Sequence, residues 1–334
     1  MKKGLIQLVI LSLAVVLLLS ACGQGSEDAV PTPTQGELVP ILLPLGYIPN
    51  IQFAPLYVSV SKGYFAEAGF DVMFDYRFET DGVALVGQGT IPFAVVSGEQ
   101  VLLARAQNVP VKYVAAWFQD FPVGVAAKTE SGISTPQELV GKRVGLPGLY
   151  GANYIGVRAL LSAAGVNVND LTLDSIGFNQ VEALAADQVD AVVVYTTNEP
   201  VQLRAQGYEI NEFTVADYVH LVANGIITSE EQIEQDPEMV QRFVDAFLRG
   251  LADTIADPEE AYQLSLDFVE NLAEADQEIQ MEVLRRSIGY WEAEPLGRID
   301  AEGWENMLDV LLEMELLSEP IPADQAFTTQ FIGE

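Results

Sequence analysis

From residue 39 onward, short apolar runs alternate with stretches whose apolar residues recur at helical spacing. The run 39–45 reads as a strand leading into a turn that carries Tyr47, Pro49 and Asn50. A helix is expected over 53–61, stopped by Lys62 and Gly63. Strands at 70–78, 91–96, 111–118 and 123–127 follow, with helices at 80–87 and 97–107. A polar, glycine-bearing stretch at 128–135 then interrupts the pattern, and Thr135, Pro136 and Glu138 spell a capped helix start. The alternation restarts with strands at 143–146, 171–176, 191–195 and 209–213. Helices are expected from the 148–151 glycine turn to 164, over 179–187 and over 198–206. Strands alternating with helices predict an α/β fold of parallel units.

The two halves rhyme. Residues 89–97 and 187–195 share a pattern of helix end, short apolar strand and then polar residues: Ser97, Glu99 and Gln100 in one, Thr196, Asn198 and Glu199 in the other. Polar strand ends on two similar lobes predict a cleft between them. Beyond Leu221 the pattern turns helical, with one apolar face running through Val240, Phe243, Val244, Phe247 and Leu251. Gly250, Trp291 and Trp304 read as packing residues.

Ahead of the fold, Lys2 and Lys3 precede an apolar run at 5–19 that is short for a membrane span, and Leu19, Ser20 and Ala21 precede Cys22. This is the layout of an export signal over 1–21. The Leu-Ser-Ala-Cys ending resembles the lipobox of bacterial lipoproteins, which implies that Cys22 is diacylated and becomes the mature N-terminus. Residues 22–38, small, polar and proline-bearing, read as a flexible tether. A body leashed by lipid to the extracytoplasmic face of the cell membrane is the expectation.

Composition narrows the chemistry. A chain of 334 residues that is 49% hydrophobic folds, and a formal charge of −32 repels nucleic acid. With one cysteine and one histidine, His220, neither a multi-histidine metal site nor a histidine-paired nucleophile can be assembled, so no metal, no cofactor and no catalysis are expected. The expected cleft is instead rich in rings and amides, which suit a planar heterocycle better than a simple anion. Candidate contacts are Tyr47, Asn50, Gln52, Phe53, Ser97, Glu99, Trp117, Gln119, Tyr150, Asn153, Asn179, Tyr195 and Asn198.

Several of these residues carry a resemblance. Gly46-Tyr47-Ile48-Pro49-Asn50, Tyr57-Val58-Ser59, Lys62-Gly63-Tyr64-Phe65, the run 139–145, Val189-Asp190-Ala191-Val192 and Asn198-Glu199-Pro200 resemble the substrate-binding proteins related to thiamine-pyrimidine and alkanesulfonate binders. The resemblance covers most of 40–270. It implies a type II periplasmic-binding fold, with lobe 1 at 39–126 and 222–334, lobe 2 at 127–221, two hinge strands between them, and C-terminal helices packed on lobe 1. It also implies a monomer that serves an ABC permease and ATPase. The pyrimidine synthases that share this fold use a cysteine cluster and a histidine, neither in place here. Where pyrimidine binders carry Trp and His around the Pro-Asn pair, this chain has Tyr47, Ile48, Gln52 and Phe53. The GYIPN-x-QFAP wording is more similar to the riboflavin-binding lipoproteins, so riboflavin is the expected transported ligand. An aminopyrimidine, an alkanesulfonate, an enzyme on the same fold and a ligand-sensing lipoprotein remain as alternatives.

Overall fold

The computed structural model describes residues 38–333; the signal, Cys22 and nearly all of the tether lie outside them. Strand β1 (Val39–Leu45) leads through a capped turn into α1 (Ala54–Ser61) and the short α2 (Tyr64–Glu67). Strand β2 (Phe70–Tyr76) pairs parallel with β1 along its whole length. Helix α3 (Glu79–Gly87), β3 (Ala94–Ser97), α4 (Gly98–Ala106) and β4 (Val111–Ala116) complete the first pass. The chain then crosses to a second sheet made of β5 (Val123–Lys128), β6 (Arg143–Leu146), β7 (Thr172–Ser175), β8 (Ala191–Tyr195) and β9 (Ile210–Thr214). Helices α5 (Gly151–Ala163), α6 (Gln180–Ala185) and α7 (Glu199–Ala205) lie between its strands in the chain. Its order is β7-β6-β8-β5-β9, with β6 parallel to both neighbours and β5 antiparallel to both of its own.

The return crossing leads into β10 (Asn224–Ser229), which inserts antiparallel between β3 and β4. Helices α8 (Glu230–Gln235), α9 (Pro237–Ala256), α10 (Pro258–Ser265), α11 (Gln277–Trp291) and α12 (Ala301–Glu313) follow. The central strand β10 contradicts the expectation that only helices follow Leu221. Its run Asn-Gly-Ile-Ile-Thr-Ser is short and half polar, and only the flanking strands, more than a hundred residues away in sequence for each pairing, make it a strand. The lobe boundary moves as well. Because β5 is bonded into the second sheet, the expected break at 126/127 falls inside a strand, and the sheets change over 117–122 and 215–223.

These two crossings are tied together. Trp117 and Phe118 both donate their backbone N–H to the carbonyl of Asn224, at 2.9 and 3.0 Å, so one residue at the start of β10 fixes the outgoing strand end. Helix α9 shows the expected apolar face, with Phe243 stacked on Phe93 at 3.9 Å. A Cβ at Gly250 would lie 2.3 Å from the Pro55 carbonyl, so glycine is what lets α9 and α1 touch. The C-terminal helices do not stay on the first lobe alone. From α11, Tyr290 shares a 2.8 Å hydrogen bond with Thr196 and Arg286 donates to the Thr196 carbonyl, which lies just past β8.

Candidate functional site

The site grows out of the β1–α1 turn. The Asn50 side chain accepts a hydrogen bond from the Gln52 backbone N–H at 2.9 Å and caps the single turn Ile51–Phe53. Asn50 is thereby spent on its own backbone, and the turn aims Gln52 and Phe53 into the space between the sheets. There Gln52 Nε2 donates to Thr197 Oγ1 at 2.6 Å, and Tyr47 reaches Asn198 Nδ2 at 3.5 Å, both across the cleft. Burial raises the Tyr47 hydroxyl pKa far above its ordinary value, with the Glu199 carboxyl adding to the shift, so this ring faces the cleft protonated.

The cleft encloses about 970 Å³ of empty space, its open mouth included. Its first-lobe wall carries Gly46, Tyr47, Gln52, Phe53, Phe78, Glu79, Thr80, Val95 and Gln100. Trp117, Phe118 and Asn224 come from the crossings. The second-lobe wall is Pro147, Gly148, residues 150–153, Phe178, Gln180, Tyr195, Asn198 and Glu199. Polar groups at its base form one chain. Tyr195 Oη donates to Asn224 Oδ1 at 3.2 Å, and Asn224 Nδ2 donates to Glu79 Oε1 at 3.0 Å. Glu79 Oε2 accepts from Ser97 N at 2.9 Å and Ser97 Oγ at 2.6 Å, and Ser97 Oγ also contacts the Glu99 carboxyl.

A serine hydroxyl has one hydrogen, so it cannot donate to two carboxylates at once. One carboxyl must donate to it. Glu79 already accepts two N–H donors, whereas Glu99, fully buried, receives only Gln100 Nε2 at 3.2 Å and has a second oxygen without a partner. The shared proton therefore belongs to Glu99, and the charge, when there is one, to Glu79. Burial drives both pKa values up, opposed by the Ser97 hydrogen bonds. For Glu79 burial is the largest cause, and its pKa reaches about 8. Glu199, which accepts the Tyr195 N–H at 2.9 Å, is raised by burial to about 7.

Of the residues expected from the sequence, Tyr47, Gln52, Phe53, Trp117, Tyr150, Asn153, Tyr195 and Asn198 line this one cavity. Five do not. Asn50 is a cap; Ser97 and Glu99 lie beneath the wall and act through Glu79. Asn179 turns its amide onto the Ile176 carbonyl, an exposed local bond. Gln119 bonds through its backbone to Tyr290 and faces a separate small hollow near His220. His220 lies between Asp300 at 2.8 Å and Asp120 at 3.3 Å, away from the cleft, and ties helix α12's cap to both crossings.

Sequence reasoning missed Phe78, Glu79, Phe178, Gln180 and Asn224. Phe78 and Glu79 lie just past the carboxyl end of β2, after Arg77, where α/β sheets place ligand contacts, so the signal was present. Asn224 had no such signal while β10 was hidden. Among the described residues no group of three His, Cys, Asp or Glu side chains could hold a metal ion, and no helix is long and apolar enough to cross a membrane.

Comparison with known proteins places this architecture. The chain is 40% identical to the riboflavin-binding protein RibY of Chloroflexus aurantiacus over 96% of either chain. It is 29% identical to the formylaminopyrimidine-binding protein of Halalkalibacterium halodurans over 95% of this chain and 96% of the relative. Its fold matches that of the periplasmic aliphatic sulphonate binding protein SsuA of Escherichia coli, with a TM-score of 0.69 and 13% identity over 86% of this chain and 96% of the other. The two lobes, two crossings and returning C-terminal helices are those of the type II periplasmic binding proteins. Residues 50–261 match the NMT1/THI5-like family model, and the chain belongs to that family.

Proposed function

We propose that this protein is the solute-binding component of an ABC importer and that its cleft captures riboflavin for delivery to a membrane permease. The observation that carries the reading is the 40% identity, end to end, to a riboflavin-binding protein. The cavity suits that ligand: Phe53, Trp117, Tyr195 and the mouth rings offer faces for a broad fused ring. Gln52, Asn153, Gln180 and Asn198 offer donors and acceptors for carbonyls, ring nitrogens and hydroxyls. Closure of the two lobes on the ligand, by rotation about the 117–122 and 215–223 crossings, would supply the signal a permease reads.

Titration of a fixed concentration of riboflavin with purified protein tests this. Saturable quenching of flavin fluorescence is expected, and its absence at micromolar protein would overturn the flavin reading. A second reading, an aminopyrimidine ligand, is favoured by the 29% identical formylaminopyrimidine-binding relative. Calorimetry with an aminopyrimidine separates the two. In both readings the protein binds and releases, with no turnover of the ligand. Its place at the membrane rests on Cys22, read as the lipid-bearing N-terminus of the mature chain; mass spectrometry of the N-terminal peptide checks that.

A further inference from the structure

Helix starts gather around this cleft, and a helix start is where a binding protein can hold an anion without any lysine or arginine. Three of those starts place a carboxyl of the protein's own at or just behind the cavity wall. Glu79 opens α3, Glu99 lies in the first turn of α4, and Glu199 opens α7. Glu79 and Glu199 line the cavity directly, and Glu99 backs Glu79 through Ser97. Of the other helices that begin at the cavity, α6 has Glu182 in its first turn, and α1 and α5 have no acidic residue in theirs.

Nothing balances these carboxyls. No lysine, arginine or histidine stands among the described residues that line the cavity. Arg77, two residues before Glu79, is turned to Asp75. An anionic group entering here would leave water with no cation to receive it, beside two carboxyls and a third behind them. Burying a charge without a partner is among the largest costs a site can impose.

We propose that the cleft selects its ligand by charge: Glu79, seconded by Glu199, admits the uncharged heterocycle and refuses its phosphorylated form. On the flavin reading, from which the ligand pair is taken, riboflavin enters and riboflavin 5′-phosphate does not. The cell's supply for this importer is then the product of a phosphatase or of release from cofactor, never the phosphate ester itself. Glu79 and Glu199 act as specificity residues, and Ser97 and Glu99 as positioning residues that hold Glu79 in place.

The test compares riboflavin with riboflavin 5′-phosphate by fluorescence quenching at mildly alkaline pH, where Glu79 is ionised. Wild type, Glu79→Gln, Glu199→Gln and the double variant are used, each first shown to be folded by circular dichroism. Wild type should bind the phosphate at least about tenfold more weakly than riboflavin, and the double variant should bring the ratio down severalfold. Binding of both ligands alike by wild type overturns the charge preference and leaves the flavin reading standing. A preference that survives unchanged in all variants overturns the assignment to these glutamates, since exclusion by size or by the protein's overall charge would not change with two residues. If neither flavin binds, the flavin reading fails. The same comparison with an aminopyrimidine and its phosphate then decides the charge preference, and a tighter-bound phosphate overturns it.

Discussion

The cleft has a floor and a rim, and they are built on opposite principles. The floor is Trp117, Asn224, Glu79 and the Ser97–Glu99 pair behind them, with the indole and both Ser97 and Glu99 buried. The rim is Tyr47, Phe78, Tyr150 and Phe178, rings that meet across the mouth. Tyr47 is edge-on to Phe178 at 4.9 Å, Phe78 edge-on to Tyr150 at 5.5 Å, and Phe78 lies over Phe178 at 6.4 Å. Phe78 and Tyr150 stay about half exposed, at 48% and 53%. Floor groups depend on one another for hydrogen bonds and for the location of a proton, so removing one strands the rest. Rim groups make pairwise apolar contacts worth roughly 0.5–1.5 kcal/mol each, which can part and re-form as a ligand passes. A binding protein needs both: a floor that does not change and a mouth that does.

The harshest way to break the floor is Trp117→Ala. The indole is buried between Phe53, Phe118, Phe247 and Trp291, and it sits where the chain crosses between sheets. Its loss should cost about 3–5 kcal/mol in urea unfolding and abolish ligand quenching. Glu79 gives the next largest effect, as a dependence on pH. Folded Glu79 keeps its proton up to about 8, against an ordinary value of 4.5 when unfolded. Between those values the native state holds a proton that the unfolded chain has lost, so this residue's contribution falls as pH rises across the window, by at most about 1.4 kcal/mol per unit, and is flat above 8. Glu79→Gln should therefore gain stability relative to wild type from pH 5 to 8, read as a widening difference in Tm. Parallel Tm curves would sink the assignment. Ser97→Ala comes third. It removes the hydroxyl between the Glu79 and Glu99 carboxyls and should cost about 1–3 kcal/mol, with the urea m-value unchanged.

The same contrast explains what could be read from the chain in advance. The rim and upper wall come from turns at strand ends, where Tyr47, Gln52, Tyr150, Asn153 and Asn198 are local in sequence and advertise themselves as rings and amides next to an apolar strand. The α/β class, both lobes and the apolar face of α9 follow from periodicity for the same reason. The floor is non-local. Asn224 reaches Glu79 across 145 residues, and β10 owes its existence to β3 and β4 rather than to its own composition. Asn50 and Asn179 misled in the other direction. An asparagine in a turn is as readily used for its own backbone as for a ligand, and both are so used here. Glu79 was hidden among 48 acidic residues, and only its hydrogen bonds to Ser97 and Asn224 at the base of the cleft separate it from a solvated carboxylate.

The smallest effect on stability belongs to the rim, and it separates rim from floor most sharply. Phe178 is 38% exposed, and its ring partners are the rim residues Tyr47 and Phe78. Phe178→Ala should change unfolding free energy by about 1 kcal/mol or less, because little buried area is lost and no polar group is stranded. Its kinetics should not be silent. With the ring gone, the Phe178 contacts to Tyr47 and Phe78 disappear, while the Phe78–Tyr150 pair and the floor stay whole. Ligand should then leave faster by severalfold, with entry changed much less, since differences within one site fall mainly on dissociation. Stopped-flow displacement of bound flavin measures both rates. Unchanged dissociation would show that the floor alone retains the ligand; a loss of stability as large as that of Trp117→Ala would show that rim and floor are one structure.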